Sequence, residues 1–160
     1  MKDDDLRVLA QLLRGQRLAG LGTLHAGAPL VTLTLFAAAP DFAALYLHLS
    51  QLALHTQDLS ADPRASLLIA ESERASQNPL TLARVSLQGE ARPLALDSDE
   101  QAAARALYTG RFPFTNFNFS LPDFRLYRFT PRGGRFVGGF ARAADLTAED
   151  LRAASALAED

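Results

Sequence analysis

The sequence contains no cysteine, no tryptophan and only one methionine in its 160 residues. Without cysteine, the chain cannot form disulfides, use a thiol nucleophile, or bind iron–sulfur clusters or zinc through sulfur. An excess of either charge is also absent. The formal net charge at pH 7 is −2, so no general attraction to nucleic acid or to an anionic membrane is expected. Any anion that the protein binds must therefore be held by a local site.

Long hydrophobic runs are absent as well. No segment approaches the roughly 20 apolar residues of a membrane span. The start at residues 1–5 is acidic overall and an amphipathic pattern follows it, whereas a signal peptide has a basic start and an apolar run. Hydrophobic residues make up 48% of the chain and charged residues 21%, which is a normal globular balance. We therefore expect a cytoplasmic protein that forms one domain over residues 1–160.

Alternating hydrophobic residues predict six or seven short strands, and helical spacing predicts three or four helices. The predicted strands are a hairpin of 18–26 and 30–36, then 45–50, 65–70, 84–90, 124–129 and 135–140. The predicted helices are 6–15, 51–61, 97–107 and 147–157, with a loop at 71–79. Short turns make the first three strands antiparallel neighbours. So many strands in a short chain favour a closed barrel, because closure removes exposed edges.

The most informative segment is 49–59, where a predicted strand gives way to a predicted helix. Ser50 occupies the N-cap position, and helix N-termini bind phosphate through free N–H groups and partial positive charge. His55 and Thr56 share an inward helix face with leucines, so these polar groups need partners. A bound phosphate is one such partner. The alternatives are a simple cap at Ser50 and a backbone carbonyl partner for His55.

Two other features are candidates for ligand contact. Arg84 opens an otherwise apolar strand and can clamp a phosphate with two hydrogen bonds, or it can simply be solvated. The phenylalanines of 112–119 follow no clean period, which fits packing, a dimer interface or stacking on a flat ligand. The three histidines, His25, His48 and His55, lack helical i, i+4 spacing, so no zinc site is expected.

Several of these segments occur together, in order, in one known group of proteins. The motifs are SQLALHTQDL at 50–59, DPRASL at 62–67, ARVSLQGEA at 83–91, DFRLYR at 123–128 and VGGFARA at 137–143. Together they resemble the pyridoxamine 5′-phosphate oxidase-like FMN-binding split-barrel superfamily. More narrowly, they are similar to its haem-utilisation branch, whose signature reads S-x-L-A-x-H-T-x-N-L-x-x-D-P-R-x-S-L.

The resemblance implies a mainly β (α+β) fold, a six-stranded antiparallel split β-barrel with peripheral helices. It also implies a homodimer that binds FMN in two sites at the interface. The phosphate would be held by four residues, Ser50, His55, Thr56 and Arg84. The backbone around Thr32, Leu33 and Thr34 would flank the isoalloxazine ring, and the segment 112–118 could come from the partner chain.

The function implied is that of an FMN-binding protein, and a flavin-dependent oxidoreductase of unknown small-molecule substrate is the preferred interpretation. No residue stands out as a catalytic acid or base. The alternatives are a haem-binding protein of the same fold and a flavin-binding module without turnover. No nucleic-acid or membrane partner is expected.

Two departures from the branch bear on the site. Asp58 stands where the signature has asparagine, and a carboxylate there would repel a bound phosphate. We therefore expect it either to face away from the phosphate or to pair with His55, three residues earlier on the predicted helix. Longer haem-degrading members carry a C-terminal extension with a haem-binding histidine. No histidine follows His55 in this sequence, so a bound haem would need a different axial ligand.

Overall fold

Strands dominate the computed structural model, which describes residues 1–73, 78–139 and 142–157. Among these residues the eight strands are β1 (Leu18–His25), β2 (Ala28–Leu35), β3 (Ala37–Ala38), β4 (Leu45–Ser50), β5 (Arg64–Ala70), β6 (Arg84–Pro93), β7 (Phe124–Val137) and β8 (Ala143–Thr147). The helices are α1 (Asp3–Gly15), α2 (Leu54–Ala61), α3 (Asp99–Arg111) and α4 (Ala148–Ser155), with 3₁₀ helices at Pro79–Thr81 and Pro113–Ser120. The predicted fold class is confirmed, with eight strands instead of six.

The β1–β2 hairpin forms as predicted. The two strands pair in full antiparallel register from Leu18 opposite Leu35 to His25 opposite Ala28. The connecting residues Ala26 and Gly27 both have positive φ angles, 49° and 83°. A two-residue turn of this kind matches the right-handed twist of the flanking strands.

The sheet runs in the order β2-β1-β5-β6-β7-β4-β3, and β8 pairs with β7. The strands at its two ends, β2 and β3, are separated in the chain only by Phe36, so the sheet curls back towards itself as a split barrel. The expectation that 45–50 pairs with the hairpin is wrong. Strand β4 pairs with β3 and β7 instead, because a turn closed by Ala39 N–H donating to Ala44 O folds the chain back onto β3.

The predicted division into separate strands 124–129 and 135–140 is also wrong, because β7 continues through residues 130–134 as one strand. The glycines there allow close approach to β6. A Cβ atom on Gly134 would lie 2.1 Å from the carbonyl oxygen of Ser86, and one on Gly89 would lie 2.1 Å from that of Thr130. Glycine in a strand often marks such a contact. Phe140, the end of the predicted strand 135–140, lies outside the described residues, as do 74–77 of the predicted loop.

The main core fills the barrel beneath the sheet. Leu21, Leu67 and Leu87 lie side by side on β1, β5 and β6 and are fully buried. The leucine face of α1 packs on this core, and Thr147 caps α4 in a capping box with Asp150. A second core cluster lies beneath α3 around Tyr108 and other buried residues, Ala104, Phe112 and Leu126. Within the described ranges, no helix is long and apolar enough to cross a bilayer.

Candidate cofactor site

Ser50 lies at the end of β4, but it does not cap α2. The helix begins three residues later than predicted, at Leu54, with Ala53 at the N-cap. The Ser50 hydroxyl donates to Asp123 Oδ2 at 2.7 Å and accepts from the Leu52 N–H at 3.1 Å. These bonds stabilise a short turn between β4 and α2. Because they occupy the hydroxyl group, Ser50 does not bond the first N–H groups of the helix.

His55 and Thr32 are brought together by the packing of α2 against the hairpin. Thr32 Oγ1 and His55 Nδ1 lie 3.1 Å apart. Burial lowers the pKa of His55, and the charge of the nearby Asp58 opposes that shift. A largely neutral imidazole at neutral pH follows from these two effects.

Thr56, the next residue of α2, is almost completely buried at 1% exposure. Its hydroxyl oxygen has no hydrogen-bond partner among the described residues. An unpartnered buried hydroxyl carries a free-energy cost of about 1–3 kcal/mol. Thr56 is therefore a polar group that a ligand at this end of α2 would satisfy.

Asp58 does not pair with His55, contrary to expectation. Its carboxylate accepts from the Thr23 hydroxyl at 2.9 Å and lies 2.8 Å from His25 Nδ1. Both partners are on β1, because α2 packs across the inward face of that strand. The hydrogen bond from His25 is the largest effect on the carboxyl group and holds the pKa of Asp58 below its ordinary value, although burial opposes the shift.

The other two hairpin residues predicted to flank the cofactor point in opposite directions. Thr34 is buried and donates to the carbonyl oxygen of Leu35 at 3.1 Å. Leu33 faces outward with 68% of its surface exposed, and Val31 on the same face is 70% exposed. Leu33 is thus available to a ligand or to a second chain, whereas Thr34 can contribute only its backbone.

Arg84 lies away from the other predicted phosphate ligands within one chain. Its guanidinium donates to the carbonyl oxygen of Leu82 at 3.1 Å. Thr32, the partner of His55, lies opposite Leu21 on the neighbouring strand β1. Leu21 lies opposite Leu67 of β5, and Leu67 lies opposite Leu87 of β6. Arg84 is three residues from Leu87, so it is roughly 10 Å along the strand and three strand spacings across the sheet from Thr32. One chain therefore brings Thr32, His55 and Thr56 together, and Arg84 is not part of that group.

A cleft of about 480 Å³ opens on the outward face of the hairpin, the face that carries Val31. Strands β1 and β5 pair only from Gly20–Leu68 to Gly22–Ser66, so their ends diverge beyond that point. Thr23 and Arg64 line opposite sides of the gap, and Arg132 lies at its rim near β6. The remaining lining is mostly apolar and includes Leu24, Pro29, Leu30 and Val31. The cleft thus combines an apolar lining with two guanidinium groups.

The comparisons with known proteins agree with this architecture. Residues 7–138 match the family described as pyridoxamine 5′-phosphate oxidase. The chain belongs to this family. The predicted resemblance to the pyridoxamine 5′-phosphate oxidase-like split barrels is thereby confirmed. The resemblance to their haem-utilisation branch is supported by the relatives that follow.

Three proteins that are similar to this chain have names that refer to haem. The chloroplastic heme oxygenase HOZ of Arabidopsis thaliana is 37% identical over 97 residues, covering 61% of this chain and 28% of HOZ. Heme oxygenase HutZ of Vibrio cholerae is 28% identical over 107 residues, 66% of this chain and 61% of HutZ. A heme binding protein from Mycobacterium smegmatis superposes with a TM-score of 0.84 at 27% identity, covering 96% of this chain and 62% of that one. The chain thus spans less than two thirds of each relative's length.

His25 was not predicted as a site residue, and the partner predicted for Asp58 was wrong. The available signal was the alternation of β1, which puts His25 on the same inward face as Thr23 and the buried Leu21. Two polar residues at the end of an otherwise buried face need a partner from another element. Asp58 supplies it from 33 residues away.

Proposed function

We propose that this protein binds haem in a site formed with a second copy of the chain. The observation that carries the proposal is the likeness to relatives named for haem binding or haem oxygenase activity. Haem would supply the redox chemistry at its iron, and the protein would supply binding and electrostatics. Flavin binding, the function preferred from the sequence, becomes the second candidate.

The lining of the cleft suits the ring and the carboxylates of a haem, and the described residues that line it include no histidine, tyrosine or methionine to ligate the iron. Haem is a flat apolar ring with two carboxylates at one edge. The apolar lining suits the ring, and the guanidinium groups of Arg64 and Arg132 suit the carboxylates. Arg64 already forms an ion pair with Asp62, and Arg132 forms one with Glu90. Each guanidinium group would therefore have to bind a haem carboxylate in addition to its acidic partner.

The homodimer is proposed from the apolar surface of the hairpin. Val31 and Leu33 point outward from β2, and Leu33 is in register through Gly20 with Leu68, which is 48% exposed. A contiguous exposed apolar face of this kind marks an interaction surface. Phe114 and Phe117 of the aromatic segment are exposed as well, and they would extend the interface.

Sedimentation tests the dimer directly. We expect a dimer at micromolar concentration and a shift towards monomer in Leu33→Asp, because a buried unpaired carboxylate is costly at an apolar interface. Leu80→Asp, at an exposed site on the 3₁₀ helix Pro79–Thr81, is the matched control. A wild-type monomer would contradict the proposal.

The flavin alternative is favoured by one observation: the hydroxyl of Thr56, beside His55 at the start of α2, has no hydrogen-bond partner in the part of the chain that the structure describes. A phosphate there would accept that hydroxyl's hydrogen bond. Ser50 supports it less, because its hydroxyl already donates to the carboxylate of Asp123.

A visible absorption spectrum separates the two candidates. The purified protein is titrated with haem and, separately, with FMN, and each titration is followed by the bands of the bound chromophore. We expect stoichiometric haem uptake with a shifted Soret band. Stoichiometric FMN uptake without haem uptake would replace the proposal with the flavin alternative.

A further inference from the structure

Another cavity, of about 530 Å³, lies between the ends of α1 and α3 and the turn that follows β3. Most of its lining is apolar and comes from alanine, leucine, proline and phenylalanine side chains, with Ala38, Phe42 and Leu107 among them. Among the described residues, it shares none with the lining of the cleft between β1 and β5. Small-molecule sites typically have volumes of about 300–1,000 Å³. The cavity is therefore large enough for a small organic ligand and separate from the proposed haem cleft.

Two arginines, Arg14 and Arg111, also line this cavity. Arg14 donates to the carbonyl oxygens of Ser155 and Leu157, and these hydrogen bonds hold its guanidinium at the end of α4. The described residues of the lining include no aspartate or glutamate. This part of the lining therefore carries positive charge and no negative charge.

Arg111 is the last residue of α3, and its charge faces no acidic partner in the part of the chain that the structure describes. Its guanidinium donates to the backbone carbonyl oxygen of Gln16, which is a neutral acceptor. Its Nε atom is buried and has no hydrogen-bond partner among the same residues. Burial lowers the pKa of Arg111, and the charge of Arg17 lowers it further. The C-terminal end of α3 offsets only about half of a unit charge, so an anion would stabilise Arg111.

Arg17 adds a second positive charge close to Arg111. The guanidinium carbons of Arg17 and Arg111 lie 5.5 and 5.6 Å from the centroid of the same ring, that of Phe112. Arg17 also lies 5.6 Å from the ring centroid of Phe114. Contacts with ring faces stabilise a guanidinium without neutralising its charge. The two like charges therefore repel each other, and an anion bound at Arg111 would reduce that repulsion.

We propose that this cavity binds a small carboxylate with an apolar body, such as a medium-chain fatty acid, and that Arg111 binds the carboxylate. A planar guanidinium matches the two oxygens of a carboxylate, with which it forms charge-assisted hydrogen bonds. The apolar lining matches a hydrocarbon chain. A small hydrated anion would gain nothing from that lining, and a neutral hydrocarbon would leave Arg111 without a counter-charge.

Isothermal titration calorimetry of the full chain with octanoate tests the site. We expect one equivalent to bind saturably, with weaker binding of 1-octanol, which lacks the charge, and of acetate, which lacks the chain. Arg111→Gln should weaken octanoate binding about 10- to 100-fold, because the charge-assisted hydrogen bonds are lost, and should leave 1-octanol binding unchanged. Arg152→Gln, at an exposed site on α4, is the matched control.

A second pair of variants tests the cavity without removing a charge. Ala106 lines the cavity from an exposed position on α3, so Ala106→Trp should fill the space and abolish octanoate binding. Ala102→Trp, at another exposed position of the same helix that does not line the cavity, should bind octanoate as the wild type does. Circular dichroism shows that each variant folds.

Three outcomes would each overturn the inference. They are no octanoate binding by the wild type, equal octanoate affinity in the wild type and Arg111→Gln, and undiminished binding in Ala106→Trp. Octanoate binding requires no haem, so all three leave the proposed haem function standing. Failure of the wild type to take up haem would leave the octanoate site standing in turn.

Discussion

Two regions of the molecule place histidine in contrasting environments. In the hairpin cluster, formed by Thr23, His25, Thr32, His55 and Asp58, hydrogen bonds orient both imidazoles. In the aromatic cluster, formed by His48, Tyr108, Phe112 and Phe119, the imidazole packs among rings. The difference teaches that residue type alone does not predict a ligand. The first environment leaves a nitrogen available, and the second uses the ring as a core side chain.

The largest expected effect comes from breaking the aromatic cluster. Phe112 is fully buried and contacts Tyr108 with the ring centroids 5.0 Å apart. Phe112→Ala should lower the free energy of unfolding by about 3–5 kcal/mol, because it removes a large apolar side chain and leaves a cavity. Urea denaturation measures the loss. Leu80→Ala, at an exposed site, should stay within about 0.5 kcal/mol, and equal losses in both variants would contradict the assigned core.

The next effect is a pH dependence from His48. Burial, assisted by the charge of Arg105, lowers the pKa of His48 to about 4. As the pH falls, His48 in the unfolded chain therefore takes up a proton near pH 6.5, whereas His48 in the folded chain takes it up only near pH 4. Stability should fall as the pH drops through this window, by about 3 kcal/mol in total.

The variant His48→Phe sharpens that prediction, because phenylalanine keeps the stacking and cannot be protonated. Its free energy of unfolding should change less than that of the wild type between pH 6.5 and 4. The measurement is urea denaturation at several pH values. Parallel curves for the two proteins would show that His48 is not the group responsible.

The hairpin and strand β7 show which parts of the fold could be predicted from the sequence and which could not. The hairpin was predicted because partial alternation over 18–26 and clear alternation over 30–36 flank a short segment of turn residues, and the two strands form there. The course of β7 was not, since Gly133 and Gly134 look like a turn until the close approach of Gly133 to β8 and of Gly134 to β6 is known. Glycine serves both purposes, and only the neighbouring strand decides between them.

The candidate site was predicted in part for a similar reason. The inward placement of His55 and Thr56 follows from helical spacing within one segment. The partners of Ser50 and His25 are Asp123 and Asp58, which are 73 and 33 residues away in the chain. Such pairs depend on how helices and strands pack in the folded barrel, and local periodicity carries no information about them.

The smallest expected effect tests whether the start of α2 is built for a ligand. Thr56→Val replaces a buried hydroxyl that has no partner among the described residues with a methyl group of similar size. Without ligand, this should raise the free energy of unfolding by about 1 kcal/mol, because an unsatisfied buried polar group is removed. If the hydroxyl serves a phosphate, the same variant should bind FMN more weakly while its affinity for riboflavin, which lacks the phosphate, stays unchanged. Urea denaturation and ligand titration of one protein measure both quantities. Higher stability with unchanged FMN affinity would exclude Thr56 as a phosphate ligand, and lower stability would show that its hydroxyl is satisfied within the fold.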